Sequence, residues 1–182
     1  MIDLPDFPAK KVVALRDLDR EIQAGSVDAP LIGIINNCNK LPDVFTVQCC
    51  YGHFIPPGCA DEHNLVTLSE LPGVISVRYR LAYVTVCIRN SESGRAFYRD
   101  FSKMPAIDPL NIQFGSADWF WERSVNTYAV QVEPIRFMEL DQVEIGMAEA
   151  LLIESARDKL FNEITRVIRE HRQPETAGGD GR

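Results

Sequence analysis

Apolar and polar positions change period several times along this chain. Val12, Leu15, Leu18 and Ile22 recur at helical spacing and Gly25 follows as a stop, so residues 9–24 read as a helix. Leu31, Ile34, Ile35 and Cys38 trace a second, shorter helix after Pro30, ended by Leu41-Pro42-Asp43. Residues 44–50 alternate as a strand that stops at Gly52. A loop at Pro56-Pro57-Gly58 and a helical turn within 61–70 come next. Residues 74–88 are β-branched and aromatic throughout and predict one long strand, or two joined by a bulge. Ser91 opens a helix reaching about Met104, and residues 111–121 and 127–133 read as a hairpin. Asp141 with Glu144 three residues on resembles a capping box. Ile145, Ala148, Leu152, Ala156, Leu160, Ile164 and Val167 then draw one stripe. That helix is expected to span about 28 residues, roughly 42 Å. Residues 173–182 read as a flexible tail.

This order predicts an α+β domain over residues 1–172. Its sheet, mixed or antiparallel and of about five strands, is covered by helices, the last of them long. With 182 residues and 25% charged side chains, the chain can bury a core and is not a disordered polymer. No apolar run approaches the roughly 18 residues that span a bilayer, and the first residues lack a secretory pattern. The expectation is a cytoplasmic protein without a membrane partner. A long C-terminal helix also offers a surface for a second copy, so a homo-oligomeric interaction protein is one functional reading.

Charge changes this picture locally. The net charge of -7 argues against a general nucleic-acid binder. Residues 78–103 reverse the sign, with six basic side chains against two acidic ones. Arg78 and Arg80 are therefore candidate contacts for an anionic ligand, a small molecule or an RNA-derived one. Trp119 and Trp121 share one strand face, where two indoles would stack a base or pack in the core.

Cysteine and histidine are unevenly spread. Six of the eight lie between positions 38 and 63, and the odd count of five cysteines argues against a disulfide framework. Strict alternation puts Phe45, Val47, Cys49 and Tyr51 on a core face and Thr46, Gln48 and Cys50 on the opposite one. Cys49 is then expected to be shielded and Cys50 to be the reactive thiol. Gly52 permits a positive φ that turns His53 back over the strand end. Three chemistries fit. Cys50, His53, Cys59 and His63 offer thiolate and imidazole ligands to zinc. Cys50 as nucleophile with His53 as base is a second, with no third group visible in the sequence. Buried thiols and a satisfied histidine lining a pocket are the third.

Ile35-Asn36 followed by Phe45-Thr46-Val47-Gln48-Cys49-Cys50-Tyr51-Gly52-His53 resembles the wybutosine-synthesis tRNA methyltransferases. That family carries an Ile/Leu-Asn helix end and then Thr-x-Ser-Ser-Cys-x-Gly-Arg. Thr46, Cys50 and Gly52 agree with it; Gln48 and Cys49 stand at the two serines and His53 at the arginine. The resemblance covers about 20 of the 182 residues. It implies an α+β fold and a pocket for S-adenosylmethionine at 46–53, with a changed substrate contact where histidine replaces arginine. A non-catalytic zinc module remains the alternative. No Gly-rich phosphate loop, Gly-x-Ser-x-Gly, His-Glu-x-x-His or Cys-x-x-Cys pattern occurs.

Overall fold

The computed structural model describes residues 1–116, 125–137 and 140–172. The expected tail, and Trp119 and Trp121, lie outside the described residues. Helix α1, Phe7–Ala24, has Pro8 in its first turn and ends on Gly25. Helix α2, Ala29–Asn39, begins with Pro30 in its first turn. Strand β1, Val44–Cys50, runs into the short β2, His53–Ile55, where the sequence suggests only a loop. Strands β3, Ser76–Arg80, and β4, Ala82–Ile88, precede helix α3, Glu92–Phe101. The Ser91 hydroxyl accepts the Gly94 N–H at 3.0 Å and caps α3. Strands β5, Ile112–Ser116, β6, Thr127–Val132, and β7, Gln142–Gly146, lead to helix α4, Met147–His171. The fold is α+β, with a long C-terminal helix.

Two antiparallel sheets replace the single expected one. Four strands lie in the order β1-β4-β6-β5 and three in the order β2-β3-β7. The 74–88 segment is split at Leu81, where the chain leaves the small sheet for the large one. It makes the opposite switch at Tyr51-Gly52, between β1 and β2. The phenol of Tyr79 ties the junction, donating to the Val132 carbonyl at 3.0 Å and accepting the Ala82 N–H at 2.9 Å. Helix α4 buries Ala150, Ile153, Ala156, Leu160, Phe161, Ile164, Val167 and Ile168, in one core with residues from both sheets.

The opening of α4 corrects the sequence reading. Asp141 and Glu144 do not cap a helix: residues 142–146 pair with β3, Val143 opposite Tyr79 and Ile145 opposite Val77. The open edge of β3 offers main-chain partners along five residues, and that pairing outweighs one side-chain cap. The helix is 25 residues long, and its first turns face differently from the predicted stripe. Ala148 and Leu152 are exposed, whereas Ala150 and Ile153 are buried.

Strand β1 also departs from strict alternation. Its register with β4 shifts between Thr46 and Gln48, so Val47 is an extra, half-exposed residue in a bulge. Upstream of the bulge the predicted faces are exchanged. Thr46 pairs opposite Val86 on the core side, and Phe45 pairs opposite Cys87, packing on Phe7 of α1 with ring centroids 5.2 Å apart. Downstream, Cys49 lies opposite Val84, and Gln48 and Cys50 lie opposite Thr85 and Tyr83. Burial reverses the expectation for the two thiols: Cys50 is in the main core and Cys49 is the less buried of the pair.

At the β1–β2 switch, Gly52 has φ +86, and a Cβ there would stand 2.6 Å from the Ala82 Cβ. Left-handed backbone and overpacking act together in Gly52→Ala, which is expected to destabilise by about 2–4 kcal/mol. Urea unfolding of the variant, read against Gly58→Ala, which has φ +80 but open space around it, separates the steric part. Equal losses in the two variants would show that the contact with Ala82 contributes nothing.

Candidate functional site

The residues that converge on the end of β1 come from three parts of the chain. After Gly25 stops α1, the connector 26–28 brings Asp28 to the head of α2. Its carboxylate does not cap its own helix. Instead Oδ2 accepts the Tyr51 N–H at 2.8 Å and faces His53 Nε2 at 3.4 Å. The turn at Gly52 delivers His53, which is 1% exposed and lies opposite Arg80 in the β2–β3 register. The segment after Pro57 folds over this side: His53 Nδ1 lies 2.9 Å from the Asn64 carbonyl, and the exposed His63 ring approaches edge-on with centroids 5.5 Å apart. Because the Asn64 partner is a carbonyl, Nδ1 carries the hydrogen and Nε2 points toward Asp28. Burial disfavours the imidazolium, but the Asp28 carboxylate, the Cys50 thiol and the Asn64 carbonyl outweigh it and raise His53 to about 10. Burial also opposes ionisation of Asp28. His53 and the Tyr51 N–H prevail, holding the carboxyl below its usual range.

Among the described residues, Asp28, His53 and His63 form the one group of three His, Cys, Asp or Glu side chains whose ligand atoms all lie within 4.8 Å of one another. Of the expected zinc set only His53 and His63 belong to it. Cys59 stays within its own loop, its Sγ 3.4 Å from the Asp61 carbonyl and 3.7 Å from Asn64 Nδ2. Cys50 does stand beside His53, as its place in the sequence suggests, but it is 6% exposed and packed in the main core. A thiol–imidazole–carboxylate relay needs thiol and carboxylate on opposite ring nitrogens. Asn64 holds Nδ1, so thiol and carboxylate would have to share the Nε2 side of the ring, and the relay geometry is not met.

A cleft of about 500 Å³ runs along the outer edge of β1, between α1 and the start of α2. Asp17, Leu18 and Glu21 line one side, Ser26 and Val27 one end, and Phe45 through Cys49 the floor. Gln48 faces it as the sequence suggests. Thr46 borders it, but its N–H and hydroxyl are engaged by the Asn39 side chain at 2.8 and 3.0 Å. Arg78 is bound to Glu62 at 2.8 Å on the small sheet.

No family model and no curated protein matches the chain. Among solved structures, the PH1069 protein from Pyrococcus horikoshii superposes with a TM-score of 0.56 at 14% identity, covering 93% of this chain and 97% of its own. A structure of PH1069 from Pyrococcus horikoshii OT3 covers 92% and 94%, at 0.54 and 14%. The likeness is one of fold.

Two residues of the site escape the sequence reading. Asp28 precedes Ala29-Pro30 and reads there as a helix start; nothing local ties it to a histidine 25 positions on. Arg157 belongs to the apolar stripe of α4 and is buried. Its guanidinium lies 4.3 Å from the Tyr51 ring centroid and 3.5 Å from the Gly52 carbonyl.

Thiol accessibility follows from these positions. Burial pushes Cys38 up to about 12 and Cys87 up to about 11, and Cys50 is enclosed in the core. Site-resolved alkylation of the folded protein is expected to label Cys59 first and to leave Cys38, Cys50 and Cys87 protected until unfolding. Cys50 labelling at the rate of Cys59 would mean that the His53 side of the strand is open to solvent.

Proposed function

We propose that this protein binds S-adenosylmethionine in the cleft along β1 and is a relative of the tRNA-modifying methyltransferases that the 46–53 segment resembles. The observation that carries the reading is the chemistry of the cleft. Its volume, about 500 Å³, lies within the range of small-molecule sites. It combines apolar walls (Leu18, Val27, Ile35, Phe45) with the carboxylates of Asp17 and Glu21 at one side. S-adenosylmethionine carries a sulfonium, an ammonium and a ribose diol, each a natural partner for a carboxylate. An anionic ligand is disfavoured at this end of the molecule. The cleft lining holds no basic side chain for an RNA-derived methyl acceptor; Arg78, bound to Glu62, and Arg80 lie on the other sheet. Gln48 and the main chain of β1 are the neutral hydrogen-bonding groups of the floor.

Binding of S-adenosylhomocysteine, which keeps the nucleoside and amino-acid parts, tests this without knowledge of the acceptor. Calorimetry is expected to give one site, and a ligand concentration of 100 Kd to add about 2.7 kcal/mol to stability. Glu21 is exposed, so Glu21→Gln is expected to leave folding unchanged. It should weaken binding by about tenfold, the loss of one charge-assisted hydrogen bond. Absence of saturable binding at millimolar ligand would refute the reading.

A further inference from the structure

We propose that Asp28, His53 and His63 bind a divalent first-row transition ion of the zinc class. The donors would be Asp28 Oδ2, His53 Nε2 and one ring nitrogen of His63. Three features of the cluster carry this, and none depends on what the cleft holds.

The first is His53 itself. Its Nε2 is buried and meets no hydrogen-bond geometry; it faces Asp28 Oδ2 at 3.4 Å in an ion-pair contact only. A buried ring nitrogen without a partner is a cost that a fold retains where something else completes it. The opposite nitrogen is fixed on the Asn64 carbonyl at 2.9 Å. That is the arrangement by which a ligating histidine is oriented and its tautomer set, with the far nitrogen presented to the metal.

The second is the donor set. One carboxylate and two imidazoles suit zinc and its neighbours, and three protein ligands leave a further position for water or a substrate atom. Asp28 is already held in place by the Tyr51 N–H at 2.8 Å. A plain buried ion pair between Asp28 and His53 would leave His63 without a role, yet the His63 ring is brought to 5.5 Å from that of His53.

The third is the distribution of rigidity. Asp28 and His53 stand at the head of α2 and on β2, whereas His63 is exposed on the covering loop. Ligand atoms now within 4.8 Å of one another must close to about 3.3 Å around a tetrahedral ion with bonds of about 2.0–2.1 Å. The exposed imidazole is the side chain free to make that movement.

The experiment uses full-length protein purified without a metal-affinity tag, stripped with a chelator and titrated with cobalt(II) and then zinc(II). One saturable equivalent is expected. The cobalt form should show visible d–d bands of a nitrogen–oxygen site and no sulfur-to-cobalt band in the near ultraviolet. His63→Ala removes only an exposed side chain, so the metal-free protein should keep its melting temperature while its affinity falls at least about tenfold. Asp28→Asn should lower affinity as well. The proposal is overturned by the absence of stoichiometric binding, by equal affinity in His63→Ala and wild type, or by a sulfur charge-transfer band. The last would return the site to the cysteines.

Discussion

Gly52 rests against Ala82 with no room for a side chain between them, and much of the molecule is arranged around that contact. It is where the two passages between the sheets touch: the chain leaves the large sheet at Gly52 and re-enters it at Ala82. Tyr79, fully buried, bonds across the same junction through its phenol. The direction in which β2 departs, and with it the placement of His53, therefore follows from a steric requirement of the fold. The candidate site inherits its geometry from topology here: a larger residue at 52 meets Ala82 and strains the turn that carries both Tyr51 and His53 to Asp28.

A buried charge supports the same turn. Arg157 of α4 lies over the Tyr51 ring and 5.4 Å from the Phe54 centroid, on either side of Gly52. Desolvating a guanidinium costs several kcal/mol unless it is compensated. Compensation comes from two ring faces, from Asp158 at 3.1 Å and Glu154 at 3.6 Å, and from the weaker contact to the Gly52 carbonyl. Tyr51 in turn stacks on Phe161 of the same helix at 5.1 Å. Helix α4 thus holds the sheet-switching turn as well as filling the core, and an arginine in an otherwise apolar stripe is the sign of it.

The sequence was legible where one local period dominates. α1, α2, β1 and α3 lie close to where local spacing and the Ser91 cap put them, and the Cys and His accumulation at 38–63 includes two of the three members of the Asp28–His53–His63 cluster. Legibility failed where a distant partner decides. Residues 142–146 carry a plausible helix start, yet the edge of β3 converts them to strand. Leu81 is as apolar as its neighbours, and nothing in its identity says that the chain changes sheets there. The bulge at Val47 exchanges the faces of Phe45 and Thr46 without any glycine or proline to announce it. In the candidate site, both histidines were in view and the carboxylate was not, because Asp28 reaches His53 only once β1 and α2 have packed.

The outer edge of β1 shows how site and stability share one strand. An edge strand presents unpaired N–H and C=O groups, which folded proteins blunt or cover. Here side chains supply the missing partners: Lys11 of α1 donates to the Val44 carbonyl at 2.8 Å, Asn39 accepts the Thr46 N–H, and Asp28 accepts the Tyr51 N–H. Residues 47–49, between these, border the cleft. Helix α1 leaves that stretch accessible because it is thinly packed, with Phe7 its one buried residue and a further cavity of about 400 Å³ on its other flank. A ligand with both donors and acceptors could therefore complete the edge as a fourth partner, using main-chain groups that no side-chain replacement would remove. Specificity would then lie with Gln48 and the carboxylates on α1, and affinity with the backbone of a strand whose other edge is already paired to β4.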